Sequence, residues 1–130
     1  MALSIRIFLL LLVYHSVWAR SALIQPGVVV EHQNRNDLFG ETTCKRVNLI
    51  FARGTFEPGN MGIHVGPDLE NALAHELEES SLAVQGVAYL ANLEGYLDGG
   101  DAEGASLLIA LVRLSLGRCP NSAVVLAGYR

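Results

Sequence analysis

Charged residues make up only 17% of the 130-residue sequence, aromatics 7%, and Trp18 is the one tryptophan. Set against a hydrophobic content of 51%, this scarcity of charge excludes an intrinsically disordered chain. The Lys and Arg residues are scattered and the formal net charge is −4, so no basic face offers itself to nucleic acid. No apolar run approaches the ~20 residues that a membrane span needs. Cysteine is limited to Cys44 and Cys119, neither in a C-x-x-C pair nor close to a histidine, and a metal site would need further ligands. No internal repeat is present. Residues 57–62 lack both the Gly-Lys-Ser/Thr ending of a phosphate loop and a helix directly after it. No cofactor and no metal are implied.

What the sequence does contain begins with an export signal. Arg6 supplies a positive start, residues 7–13 are unbroken apolar, and Val17 and Ala19 stand at the −3 and −1 positions of a signal peptidase site. We therefore expect a signal peptide over 1–19, a secreted extracellular product and no membrane association after cleavage. An oxidising compartment lets Cys44 and Cys119 pair. Residues 20–43 carry no hydrophobic period and are read as a mobile arm or propeptide, leaving 44–130 as a single domain.

From Cys44 onward the pattern alternates. Residues 47–52 form a short apolar run, as in a strand buried on both faces. Gly66-Pro67-Asp68 opens a helix, with proline where its missing N–H costs nothing and aspartate where the dipole favours it. On that helix Leu69, Ala72, Leu73 and Leu77 are expected to pack on the sheet while Glu70, Asn71, Glu78 and Glu79 face water. Residues 82–87 read as a second strand. The Gly95 to Gly100 stretch reads as a loop leading to Asp101, an N-cap for a helix to about Leu116, with Ala105, Leu108, Ile109, Val112 and Leu116 on one face and Gly117 as C-cap. Residues 123–128 give a third strand. Strand, helix, strand, helix, strand implies an α/β, three-layer αβα fold with a parallel sheet and chemistry at the carboxyl ends of its strands. The two cysteines precede strands one and three, at equivalent ends. Adjacent strands lie ~4.8 Å apart, within reach of a disulfide.

The stretch Leu49-Ile50-Phe51-Ala52-Arg53-Gly54-Thr55-Phe56-Glu57-Pro58-Gly59-Asn60-Met61-Gly62 resembles the first strand and oxyanion loop of fungal cutinases. Val84-Gln85-Gly86-Val87, Gly99-Gly100-Asp101-Ala102-Glu103-Gly104 and Arg118-Cys119-Pro120-Asn121 resemble that family's second strand, helix entry and lead into the nucleophile strand, in the same order. The resemblance covers Cys44 to Tyr129. It implies an α/β-hydrolase-like serine esterase acting on cutin polyester and small soluble esters through a Ser, Asp, His triad. Acetylxylan esterase, of the same family, and a secreted non-catalytic binding protein are the alternatives.

Residue by residue, the resemblance places Thr55 in the oxyanion hole, where donors act on charge that develops only in the transition state. Phe56 departs from the family, which has a small hydroxyl residue there. Arg53 and Glu57 are read as braces of this loop, and His64 and His75 as solvated rather than catalytic. The family continues Gly-Tyr-Ser-Gln-Gly at a sharp nucleophile elbow, whereas here Gly128-Tyr129 is followed by Arg130 in the nucleophile position. None of Ser80, Ser81, Ser106, Ser115 and Ser122 has a plausible His and Asp partner. The expectation is a chain truncated at the elbow and inactive as it stands. With a sheet ordered two, one, three, strand three is an open edge, so a complete protein would be monomeric and this chain aggregation-prone.

Overall fold

The computed structural model describes residues 33–40 and 43–129. The segment read as a signal peptide and Arg130 lie outside the described residues. Three parallel strands, β1 (Val47–Ala52), β2 (Leu82–Gly86) and β3 (Ala123–Gly128), form a sheet in the order β2-β1-β3. Val47 pairs with Leu82 on one side and with Ala123 on the other. The central strand is the apolar run that the sequence marks, with Leu49, Ile50 and Phe51 fully buried. Burial on both faces is why its residues do not alternate.

Helix α1 (Gly66–Leu77) covers one face of the sheet, where Leu49, Phe51, Met61, Leu82 and Val84 form a core that Leu69, Leu73, Ala74 and Leu77 pack against. Helix α3 (Ala102–Arg118) covers the other, where its Leu111 joins Leu38, Ile50 and Val87 in a second core. The three-layer arrangement is the one expected. Asp101 caps α3 by accepting the Gly104 N–H, and the helix runs on to Arg118, past the glycine read as its C-cap. Between β2 and α3 the expected loop contains a single-turn helix, α2 (Leu93–Leu97), capped by the Asn92 side chain at 2.9 Å from the Gly95 nitrogen.

Two faces differ from the sequence reading. On α1, Glu70 is buried rather than solvated, paired with Arg35 at 3.2 Å, and Ala74 rather than Ala72 joins the core. On α3 the inward residues are Gly104, Leu107, Leu108, Leu111, Val112 and Ser115, while Ala105, Ile109 and Leu116 are exposed. The helix is apolar nearly all round, so its sequence does not fix its rotation. The rotation is set by contacts: the Asn48 amide donates to the Ser115 hydroxyl at 2.8 Å, both fully buried, and a Cβ at Gly104 would meet the Tyr89 ring at 2.8 Å.

Residues 33–40, placed by sequence in a mobile arm or propeptide, are instead docked along the open side of β2. The Gln33 carbonyl accepts the amides of Asn60 and Met61, and the Arg35 carbonyl accepts that of Gly86. Asn36 bridges Gln85 antiparallel, Val84 N–H donates to the Asp37 carboxylate at 2.9 Å, and Leu38 enters the core. Covering an edge in this way satisfies backbone groups that would otherwise template aggregation. The segment shows no hydrophobic period because most of its bonding is polar.

Cys44 and Cys119 form a disulfide, with Cα atoms 5.5 Å apart. It joins the amino-terminal ends of β1 and β3, opposite the end where the strand-terminal loops gather.

Candidate active site

The segments leaving β1, β2 and β3 converge at the carboxyl edge of the sheet, where parallel α/β sheets bind ligands. Val87 N–H donates to the Phe51 carbonyl and Tyr129 N–H to the Ala52 carbonyl, each at 2.9 Å, so the three chain segments stay in register just past the strands. A cavity of about 410 Å³ opens there, lined by Thr55 from the first segment, Tyr89, Ala91 and Asn92 from the second, Tyr96 from α2, Asp101 at the start of α3, and Tyr129 from the third. Of these only Thr55 was marked for chemistry by sequence. Tyr89, Ala91 and Asn92 carry no motif, and their membership follows from where β2 ends.

The loop after β1 is held by two buried charges. Arg53 donates from Nε to the Glu57 carbonyl at 2.8 Å and from Nη2 to the Tyr89 carbonyl at 2.6 Å, with longer contacts to the carbonyls of Val87 and Leu90. Its guanidinium also lies over the Tyr89 ring, 5.0 Å from the centroid, and the Tyr89 hydroxyl donates back to the Arg53 carbonyl. Burial pushes the Tyr89 phenol above its ordinary value, against the pull of Arg53, so it stays protonated as that donor.

Glu57 works from the other side of the loop. Its Oε2 accepts the Gly54 amide at 2.7 Å, and its Oε1 accepts those of Ile63 and His64 at 3.0 Å each. Gly62, at φ +74°, leaves room for this carboxylate: a Cβ there would stand 2.6 Å from Oε2. The two residues therefore brace the loop, as their sequence context suggests, and Thr55 hangs between them. Among the described residues no hydrogen bond engages the amide or hydroxyl of Thr55. The residue that the resemblance assigns to an oxyanion hole is thus held by its neighbours and lines the cavity.

Burial pushes the Glu57 carboxyl up, but the amides of Ile63, Gly54 and His64 and the nearby His64 charge outweigh it, so it titrates below its ordinary value. A carboxyl lowered on folding stabilises the native state fully above its unfolded value, near 4.5, and loses that contribution as pH falls through the lower folded value. Glu57→Gln should flatten the acid limb of stability below about pH 4.5. It should also cost about 1 to 3 kcal/mol at neutral pH, since an amide presents an N–H toward one of the three donors. Urea midpoints measured across the acid range check both, and an unchanged acid limb would refute the assignment.

The remaining candidates separate. His64 and His75 are exposed. Ser115 bonds Asn48, the Ser106 hydroxyl donates to the Ala102 carbonyl, and the Ser122 hydroxyl donates to the Lys45 carbonyl. Among the described residues no hydrogen bond joins a serine to a histidine, and no group of three or more His, Cys, Asp or Glu is placed to hold a metal. No helix of the described residues is long and apolar enough to cross a membrane.

A family model described as Cutinase matches residues 43–130. Cutinase pbc1 of Pyrenopeziza brassicae is 41% identical over 86 residues, covering 66% of this chain and 42% of that protein. Cutinase CUT2 of Pyricularia oryzae is 46% identical over 88 residues, covering 66% and 41%. The solved structure of Trichoderma reesei cutinase in complex with a C11Y4 phosphonate inhibitor superposes with a TM-score of 0.65 at 35% identity, over 75% of this chain and 42% of that one. The chain spans about half the length of the curated relatives it matches.

Proposed function

Since the chain belongs to the cutinase family, we propose that residues 43–129 are the amino-terminal part of a secreted serine esterase domain, supplying its oxyanion loop and one wall of its cleft. The observation that carries this reading is Thr55, its donors free among the described residues, on a loop clamped by Arg53 and Glu57 at the carboxyl end of the central strand. Clamping matters because an oxyanion hole lowers a barrier only if its donors need not reorganise as charge develops. The substrate is the ester bond of an aliphatic polyester such as cutin, or of small soluble esters. Acetylated xylan is the poorer fit, since Phe56, Leu90 and Leu97, beside the cavity-lining residues, are largely exposed and apolar.

Among the described residues no serine is placed as a nucleophile. β3 is the outer strand of the described sheet, with Leu126 half exposed on it.

The test is a chimera joining residues 20–129, which keeps the docked 33–40 segment, to the carboxyl-terminal half of a matching cutinase, beginning at that enzyme's nucleophilic serine. It should hydrolyse p-nitrophenyl butyrate, and Thr55→Ala should lower its kcat about a hundredfold, with Thr55→Ser restoring most of it. A folded chimera without turnover, or one indifferent to Thr55→Ala, would overturn the reading.

A further inference from the structure

Phe56 is the residue at this site that folding explains least. Its backbone has φ 64°, a left-handed conformation that a bulky side chain rarely adopts, and 74% of the residue faces solvent. Its N–H donates at 2.8 Å to the carbonyl of Ala91, itself left-handed at φ 48°, so two strained residues are tied together at the mouth of the cavity. Glycine would sit more comfortably in the first position, and a polar side chain would be better solvated there. Backbone strain of this kind gathers at ligand clamps and active sites.

The ring adjoins Thr55 in the chain, and its hydrogen-bond partner Ala91 lines the same cavity. Leu90, beside Ala91, is 70% exposed, and Leu97 on α2 is 71% exposed. Exposed apolar residues thus adjoin cavity-lining ones in the chain, and Phe56 is the one next to the group assigned to the oxyanion hole.

We infer that Phe56 is a specificity-determining residue that lays its ring against the aliphatic acyl chain of the ester, favouring apolar polyester over polar or acetyl esters. This rests on the esterase reading above, because it takes the acyl chain to lie beside Thr55. The strained backbone aims the ring outward, and the Ala91 hydrogen bond holds it there before any ligand arrives, which limits the ordering cost of contact.

Adsorption of residues 20–130, the chain left by cleavage after Ala19, to dispersed polycaprolactone particles tests the inference without requiring turnover. Phe56→Gly removes the ring while relieving the backbone, so it should fold at least as well as the parent. It and Phe56→Ser should each weaken adsorption about tenfold, as expected when roughly a third of an aromatic side chain's surface leaves water. Phe56→Trp should adsorb like the parent. Cleavage after Ala19 would remove Trp18, the one native tryptophan, so the new indole alone should report a blue-shifted emission on the particles.

Parent-like adsorption of Phe56→Gly, indole emission unmoved by the particles, or no adsorption of the parent chain would each overturn the inference. The chimera's turnover of p-nitrophenyl butyrate is read separately. Adsorption that depends on residue 56 alongside a folded but inactive chimera would retain the ring's role in contact and sink the hydrolase reading.

Discussion

Arg53→Met is expected to destabilise the domain by about 3 to 5 kcal/mol, with the damage concentrated at the carboxyl edge of the sheet. The side chain is 8% exposed, and its guanidinium serves the backbone carbonyls of two segments that are otherwise joined there by few bonds. Methionine keeps the stem and removes every donor, leaving the Glu57 and Tyr89 carbonyls without the partner that now meets them at 2.8 and 2.6 Å. An unmet buried acceptor costs about 1 to 3 kcal/mol. Loss of the contact over the Tyr89 ring adds to this. Arg53→Lys should recover little, because a point charge cannot span the two carbonyls as the planar fork does. Urea denaturation measures the total, and hydrogen exchange at amides 54–57 and 87–91 locates it. A loss under about 1 kcal/mol, or protection falling uniformly across the sheet, would contradict the clamp. The functional consequence follows from the geometry, since Gly54 and Thr55 sit between Arg53 and the Glu57 carboxylate that also grips Gly54.

Replacing both Cys44 and Cys119 by serine should cost about 4 to 5 kcal/mol in the chain-entropy model, a large share of a marginally stable domain. The bridge closes a sequence separation of 75 residues, spanning β1 to the threshold of β3, so the unfolded chain loses much freedom when it is present. The folded end it ties has other supports. Ala123 N–H donates to the Arg46 carbonyl at 2.9 Å, the Ser122 hydroxyl to the Lys45 carbonyl, and Arg118 to the Leu38 carbonyl. The serine variant should therefore keep its native circular dichroism at low temperature and fail on mild heating or in dilute urea. Because the bridge lies at the opposite end of the strands from Thr55, exchange protection of amides 54–57 in the folded variant should match the parent. A midpoint shift worth less than about 1 kcal/mol would mean that the unfolded state is already compact.

The two ends of the sheet are secured by different means. The disulfide and the docked 33–40 segment secure the sheet, and two buried charges that bond mainly to the backbone shape the loop where chemistry is proposed. A loop built this way cannot relax without abandoning several buried hydrogen bonds at once, which is how a flexible connection comes to hold donors in fixed positions.

Much of this was readable in the order of the residues. The apolar run at 47–52, the Gly66-Pro67-Asp68 helix start, the Asp101 cap and the two cysteines ahead of β1 and β3 each rest on local chemistry, so each survives in the structure. The resemblance singled out Thr55, which lines the cavity, and the residue types at 53 and 57 suggested braces. What sequence left open depends on contacts between distant positions. Glu70 is buried because Arg35, in a segment with no period of its own, reaches it. The rotation of α3 is settled by Asn48 meeting Ser115 and by Tyr89 filling the space above Gly104, since a helix apolar on nearly every side has no preferred inward face until a neighbour chooses one. Arg53 and Glu57 carry no mark in the sequence of which carbonyls and amides they hold. Local chemistry placed the strands and the starts of the two long helices, and the resemblance named the family; pairs such as Asn48 with Ser115 or Arg53 with the Tyr89 carbonyl lie more than 30 residues apart and exist only once the chain has folded.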